Sequence, residues 1–137
     1  MEMKWEEDET ITVDASLLLW LNEQAGSQGQ EELLYDSFLF FLRKIEKHET
    51  IRLDRDGFLH RRFWKGIEAA LCYQLLSKHR RPGGISLYRF MEKVAEMEHL
   101  IVKEEGHARL SQQGKQFLQK KKPVQQSRIL RYIWPVH

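Results

Sequence analysis

The 137-residue chain has one cysteine, so no internal disulfide can staple it. Cys72 is expected as a buried thiol within a helix, which fits a reducing cytoplasm. No apolar run approaches the ~20 residues that span a bilayer. The N-terminal MEMKWEEDE is acidic, the wrong sign for a secretory or organellar leader. A G-x-x-x-x-G-K-[ST] phosphate loop is missing, which excludes a Walker-type motor. The six histidines show neither H-x-x-x-H nor Cys/His spacing for zinc. His99 and His107 read as exposed hairpin residues, and Asp54 and Asp56 as a turn and a capping carboxylate. No Ser-His-Asp or Cys-His arrangement stands out. These absences argue against an enzyme and imply no cofactor, no metal and no membrane, in a cytoplasmic protein.

What is present is an ordinary core and an uneven charge. A hydrophobic content of 42% suits one folded domain, and a chain of this length buries roughly 70% of its unfolded surface. The net charge of +2 is split: residues 1–36 sum to −9 and the remainder to +11. An acidic arm on a basic body either lies solvated over that body or masks an anion-binding surface.

The hydrophobic pattern is mostly helical. Asp14 can cap a short helix over Ala15–Gln24 that ends at Gly26, and its LLLWL centre is too apolar for a lone surface helix. Ser27 to Gln30 reads as a linker. Leu34, Phe38, Phe41, Leu42 and Ile45 then fall on one face of a helix from Glu31 to about Lys47. Ile51–Leu53 alternates as one short strand, and Asp56-Gly57 turns the chain. Phe58 to about Lys78 predicts a long helix, broken by Arg80-Arg81-Pro82-Gly83-Gly84. Leu87, Phe90, Met91, Val94 and Met97 mark the next helix, which Ser86 can cap. Leu100–Lys103 has strand propensity, Glu105-Gly106 turns, and His107–Leu110 returns. Ser111 caps Gln112–Gln119, and Lys120-Lys121-Lys122-Pro123 stops that helix. Ile129, Leu130, Ile133 and Trp134 suggest a last docked helix.

The expected fold is mostly α with a small antiparallel sheet: helix, strand, helix, helix, strand, turn, strand, helix. That order resembles the winged helix-turn-helix, here with extra N- and C-terminal helices. Arg109-Leu110-Ser111-Gln112-Gln113-Gly114-Lys115-Gln116-Phe117-Leu118 is similar to the R-L-[ST]-x-x-G-x-x-[FL]-L ending of bacterial winged-helix regulators. In that ending the Ser caps the helix, the Gly allows a close backbone approach, and the apolar pair returns to the core. A fainter likeness links helix 31–48, Ile51–Leu59 and Leu100–Leu118 to the winged-helix module N-terminal to XPB-type helicases. It implies the accessory module standing alone. The chain divides as an acidic arm and short helix over 1–30, a winged-helix domain over 31–120, and a docking segment over 121–137.

In a helix-turn-helix the second helix enters the major groove, which here means Ser86–His99. Arg89 and Lys93 face three glutamates there, for −1, and the Lys103–His107 wing is also slightly acidic. Phosphate contact dominates affinity, so Tyr88, Arg89 and Lys93 are the usable residues on that helix. Positive charge is concentrated beside it: Arg55, His60, Arg61, Arg62 and Lys65; then Lys78, His79, Arg80 and Arg81; then Lys115, Lys120, Lys121 and Lys122. Arg80, Arg81, Lys120, Lys121 and Lys122 are the expected backbone contacts. The expected function is a small DNA-binding protein, a transcription regulator or accessory factor holding double-stranded DNA largely by electrostatics. The alternative is a winged-helix module that binds a protein partner. Ala15–Gln24 and Arg128–Trp134 are apolar enough for a homodimer interface, or for packing on helix 31–48.

Overall fold

The long apolar stripe of Leu34, Phe38, Phe41, Leu42 and Ile45 becomes the axis around which the other elements pack, all five side chains being fully buried. The structure, a computed structural model, describes residues 2–5, 9–12, 15–25, 29–76 and 80–133. Asp14, Gly26, Ser27, Lys78, His79 and Trp134 lie outside the described residues.

An antiparallel hairpin comes first, β1 (Glu2–Trp5) with β2 (Glu9–Thr12), paired from Glu2↔Thr12 to Trp5↔Glu9. Helix α1 (Ala15–Ala25) and helix α2 (Gln30–His48) follow, then β3 (Ile51–Arg52) and α3 (Arg61–Leu71). A 3₁₀ turn at Pro82–Gly84 leads into α4 (Ser86–Met97), β4 (Ile101–Glu104), β5 (His107–Leu110), α5 (Gln112–Leu118) and α6 (Lys122–Leu130). The second sheet is antiparallel with order β3-β5-β4, so the last strand pairs with both others. The protein is thus mostly helical with a small three-stranded antiparallel sheet.

Aromatic stacking ties α2, α3 and α4 together. Trp64 lies between Phe41, with centroids 5.3 Å apart, and Tyr88, at 4.2 Å, both nearly parallel to it. Phe63 meets Trp64 edge-on at 5.2 Å. Such contacts add ~0.5–1.5 kcal/mol beyond the area they bury. Helix α1 packs on α2 and α4 with Leu17 and Leu21 buried, while β2 lies against α4. Ile129, Leu130 and Ile133 are buried within the chain, where α6 packs on α2.

The structure departs from or adds to the sequence pattern at four points. The acidic arm contains a β-hairpin, because Met3, Trp5, Ile11 and the β-branched threonines can pair locally without a glycine turn. The third helix runs over Arg61–Leu71, shorter than 58–78. At its start, Leu53 bridges Leu59 and His60 takes the N-cap, its ring accepting from the Arg62 amide. At its end, Cys72 is left-handed (φ 62), and the Glu68 carboxylate accepts from the Leu75 and Leu76 amides at 2.9 and 2.7 Å. Those amides have found a side-chain acceptor, so the helix cannot continue. Cys72 is accordingly exposed at a helix end rather than buried in a helix. Finally, Pro123 both ends one helix and opens another, sitting in the first turn of α6 where its missing N–H costs nothing.

Between β4 and β5 the turn is the tightest available. Glu105 (φ 49) and Gly106 (φ 78) are both left-handed, the type I′ geometry that matches strand twist. Ser111 accepts from the Gly114 amide at 2.9 Å and donates to the His99 carbonyl at 2.5 Å. A Cβ on Gly114 would lie 2.2 Å from the Leu100 carbonyl oxygen, so only glycine permits this approach.

Candidate nucleic-acid interface

The acidity counted along α4 is largely turned inward. Glu92 is 1% exposed. Its carboxylate accepts from the Leu59 amide at 3.0 and 3.2 Å and from the Lys103 ammonium at 2.5 Å. Lys103 also reaches Glu96 at 3.4 Å and the Gly57 carbonyl at 2.7 Å. Burial pushes the Glu92 carboxyl up to about 7, against the opposing pull of Lys103. Glu98 is buried too, and receives Arg128 at 2.9 Å, Arg131 at 2.5 Å and the Tyr132 hydroxyl. Its burial would raise the pKa, but those hydrogen bonds outweigh burial and hold it below the usual carboxylate range. Two of the three glutamates that opposed DNA are therefore interior groups with their own counter-ions.

The expected contact residues divide. Tyr88 is 1% exposed, stacked on Trp64 and donating to Glu68 at 2.7 Å, so it cannot reach a base. Burial first, and then the Glu68 contact, push its phenol far above the normal value. Arg89 is half-buried and donates to the Gly83 carbonyl at 3.1 Å. Lys93 stands exposed on the outer face of α4. Arg80 is exposed and donates to the Gly84 carbonyl, with no ion pair among the described residues. Arg81 is paired with Asp56 at 2.7 Å. Asp54 accepts from the Asp56 and Phe58 amides, a turn role.

Lys120 and Lys121 are exposed, whereas Lys122 pairs with Glu32 at 2.6 Å. Glu32 lies in the first turn of α2, and β3 leads to Asp56 from the other end of that helix. At 1.5 Å per residue, Glu32 and His48 are about 24 Å apart along the axis. The two basic clusters are thus held by separate anchors, Asp56 after β3 and Glu32 at the start of α2.

A cationic surface that the sequence did not assemble sits near the second end. A groove of about 330 Å³ between α2, β3 and α3 is lined by Lys44, His48, Arg52, His60 and Arg62, with Ile51 and Phe63 among its apolar walls. Arg62 and His60 stood out as one basic cluster, but Lys44 and Arg52 join them only through the fold.

Among the described residues no helix is long and apolar enough to cross a membrane, and no three His, Cys, Asp or Glu side chains could hold a metal ion. No protein family matches the chain, and neither a curated protein nor a solved structure does.

Proposed function

We propose that the chain is a small cytoplasmic winged-helix protein, a transcription regulator or accessory factor that holds double-stranded DNA largely through its phosphates. The observation that carries this reading is the sheet order β3-β5-β4 together with the chain order α2, β3, α3, α4, β4, β5. In that arrangement α4 occupies the recognition position, the Glu105-Gly106 turn is the wing tip, and α1 and α6 are additions. The inward carboxylates of α4 support it, since exposed Lys93 stands beside half-buried Arg89 and Glu96.

A second reading, a protein-interaction module, is favoured by Leu19, 62% exposed on α1, and by β2 lying against α4. Leu17, Leu21, Ile129 and Leu130 are buried within one chain, so a homodimer would have to use Leu19 rather than the whole apolar face. Anisotropy titration with a labelled generic duplex separates the readings. Binding that weakens steeply with salt supports the first. No binding at low salt transfers the weight to the second.

A further inference from the structure

We infer that the groove between α2, β3 and α3 is a phosphate-binding site, and that its phosphate comes from the diester backbone of a nucleic acid. This rests on the nucleic-acid reading and moves the principal contact away from α4. No carboxylate is among the groove's lining residues. The cations of Lys44, Arg52 and Arg62 have no ion pair among the described residues, in contrast to Arg81, Lys103, Lys122, Arg128 and Arg131. A volume of about 330 Å³ is at the lower end of the range for ligand pockets.

The backbone fixes these groups relative to one another. The His60 amide donates to the Arg52 carbonyl at 2.9 Å, joining the β3 end to the α3 cap. His60 Nδ1 accepts from the Arg62 amide at 3.1 Å, so the neutral ring carries its proton on Nε2, a donor not spent on the cap. The first amides of α3 add partial positive charge on the same side. At the far wall, Glu49 has φ 66 and ψ −62, and the Thr50 amide donates to the His48 carbonyl at 2.7 Å. That is a γ-turn of the rare, strained kind. It swings His48 and Thr50 to the groove without an intervening loop.

Gly66 gives a separate indication. It lies inside α3, where glycine disfavours helix. A Cβ there would come within 2.9 Å of Lys44 Cε and 3.2 Å of its Nζ. The end of the Lys44 side chain thus lies directly against α3 at this glycine.

The test uses the whole chain with a labelled generic duplex, inorganic phosphate, and the variants R52Q/R62Q, K44Q and G66A. Each cation lost should weaken duplex binding about tenfold at low salt and reduce the salt slope by about 1. G66A, whose Cβ meets only the flexible end of Lys44, should raise the urea midpoint and weaken binding less than K44Q does. Amide NMR shifts should move at Lys44–Arg52 and His60–Gly66 with duplex, and only weakly with inorganic phosphate. If the native chain binds duplex and the groove variants keep its affinity and slope, the groove assignment is wrong and the nucleic-acid reading stands. Saturation by inorganic phosphate that duplex cannot displace would overturn the backbone source. A native chain that binds no duplex at low salt sinks both.

Discussion

Replacing Gly114 by alanine should cost this protein more than any other single methyl group added at a glycine. The new Cβ would sit 2.2 Å from the Leu100 carbonyl oxygen and 2.9 Å from Leu110 Cδ1. To reach ordinary contact the carbonyl must retreat by roughly 1 Å. It is not free to do so, because it accepts the Ser111 amide at 2.9 Å and follows the α4–β4 turn. Overpacking of this kind costs about 1–3 kcal/mol, and weakening the Ser111 bond adds about 1. Alanine returns up to about 1 kcal/mol in helix propensity. The balance is a loss of about 1–3 kcal/mol, or about 4–10 °C in melting temperature for a domain this size. Urea unfolding followed by tryptophan fluorescence, with calorimetry alongside, would measure it. Gly84, with nothing within 4 Å of its virtual Cβ, provides the parallel control and should change little on substitution by alanine. A G114A midpoint equal to or above that of the native chain would refute the close approach.

Glu92 should make stability fall with pH. Its folded carboxyl titrates at about 7 against 4.5 for a free one, so the folded state holds the proton more tightly. That contribution, up to about 3 kcal/mol, is complete below 4.5 and lost as pH rises through about 7. The gap between native and E92Q stabilities across this window checks it, and a gap that grows in favour of the native chain as pH rises would contradict it. Glu98 has the opposite sign: its folded pKa is lowered, so its contribution is present above the free value and lost on acidification. The stability difference between native and E98Q should therefore shrink as pH falls, as acid titration of urea midpoints would show. Y88F should cost about 1 kcal/mol by removing the bond to Glu68 and leave duplex affinity unchanged, since Tyr88 is inside; a large affinity loss in anisotropy would return it to the surface.

Local signals were read well where periodicity and capping act within a few residues. The stripe Leu34 to Ile45 placed α2 over nearly its full length, Ser111 announced the α5 cap, and Glu105-Gly106 marked its turn. What escaped depended on distant partners. Glu68 stops α3 only because the chain returns Leu75, Leu76 and Tyr88 to it. Tyr88 sits one position beside the expected apolar face, and is buried because Trp64 of α3 widens that face. Glu92 reads as a surface charge until the Leu59 amide and Lys103 are brought against it. The groove was legible only in part, because Lys44 and Arg52 sit on separate elements and no spacing rule connects them with Arg62.

Glu98 also limits where the chain can be cut. Its three side-chain partners, Arg128, Arg131 and Tyr132, come 30 to 34 residues later, beyond the end of α5. A fragment ending near residue 120 would retain α2 through α5 and still carry a carboxylate in its interior with nothing to neutralise it. Losing one side of a buried pair costs about 3–5 kcal/mol, a large share of what holds a small domain together. The last helix therefore acts as a closing clasp, and a protease that nicks the α5–α6 junction would loosen α4.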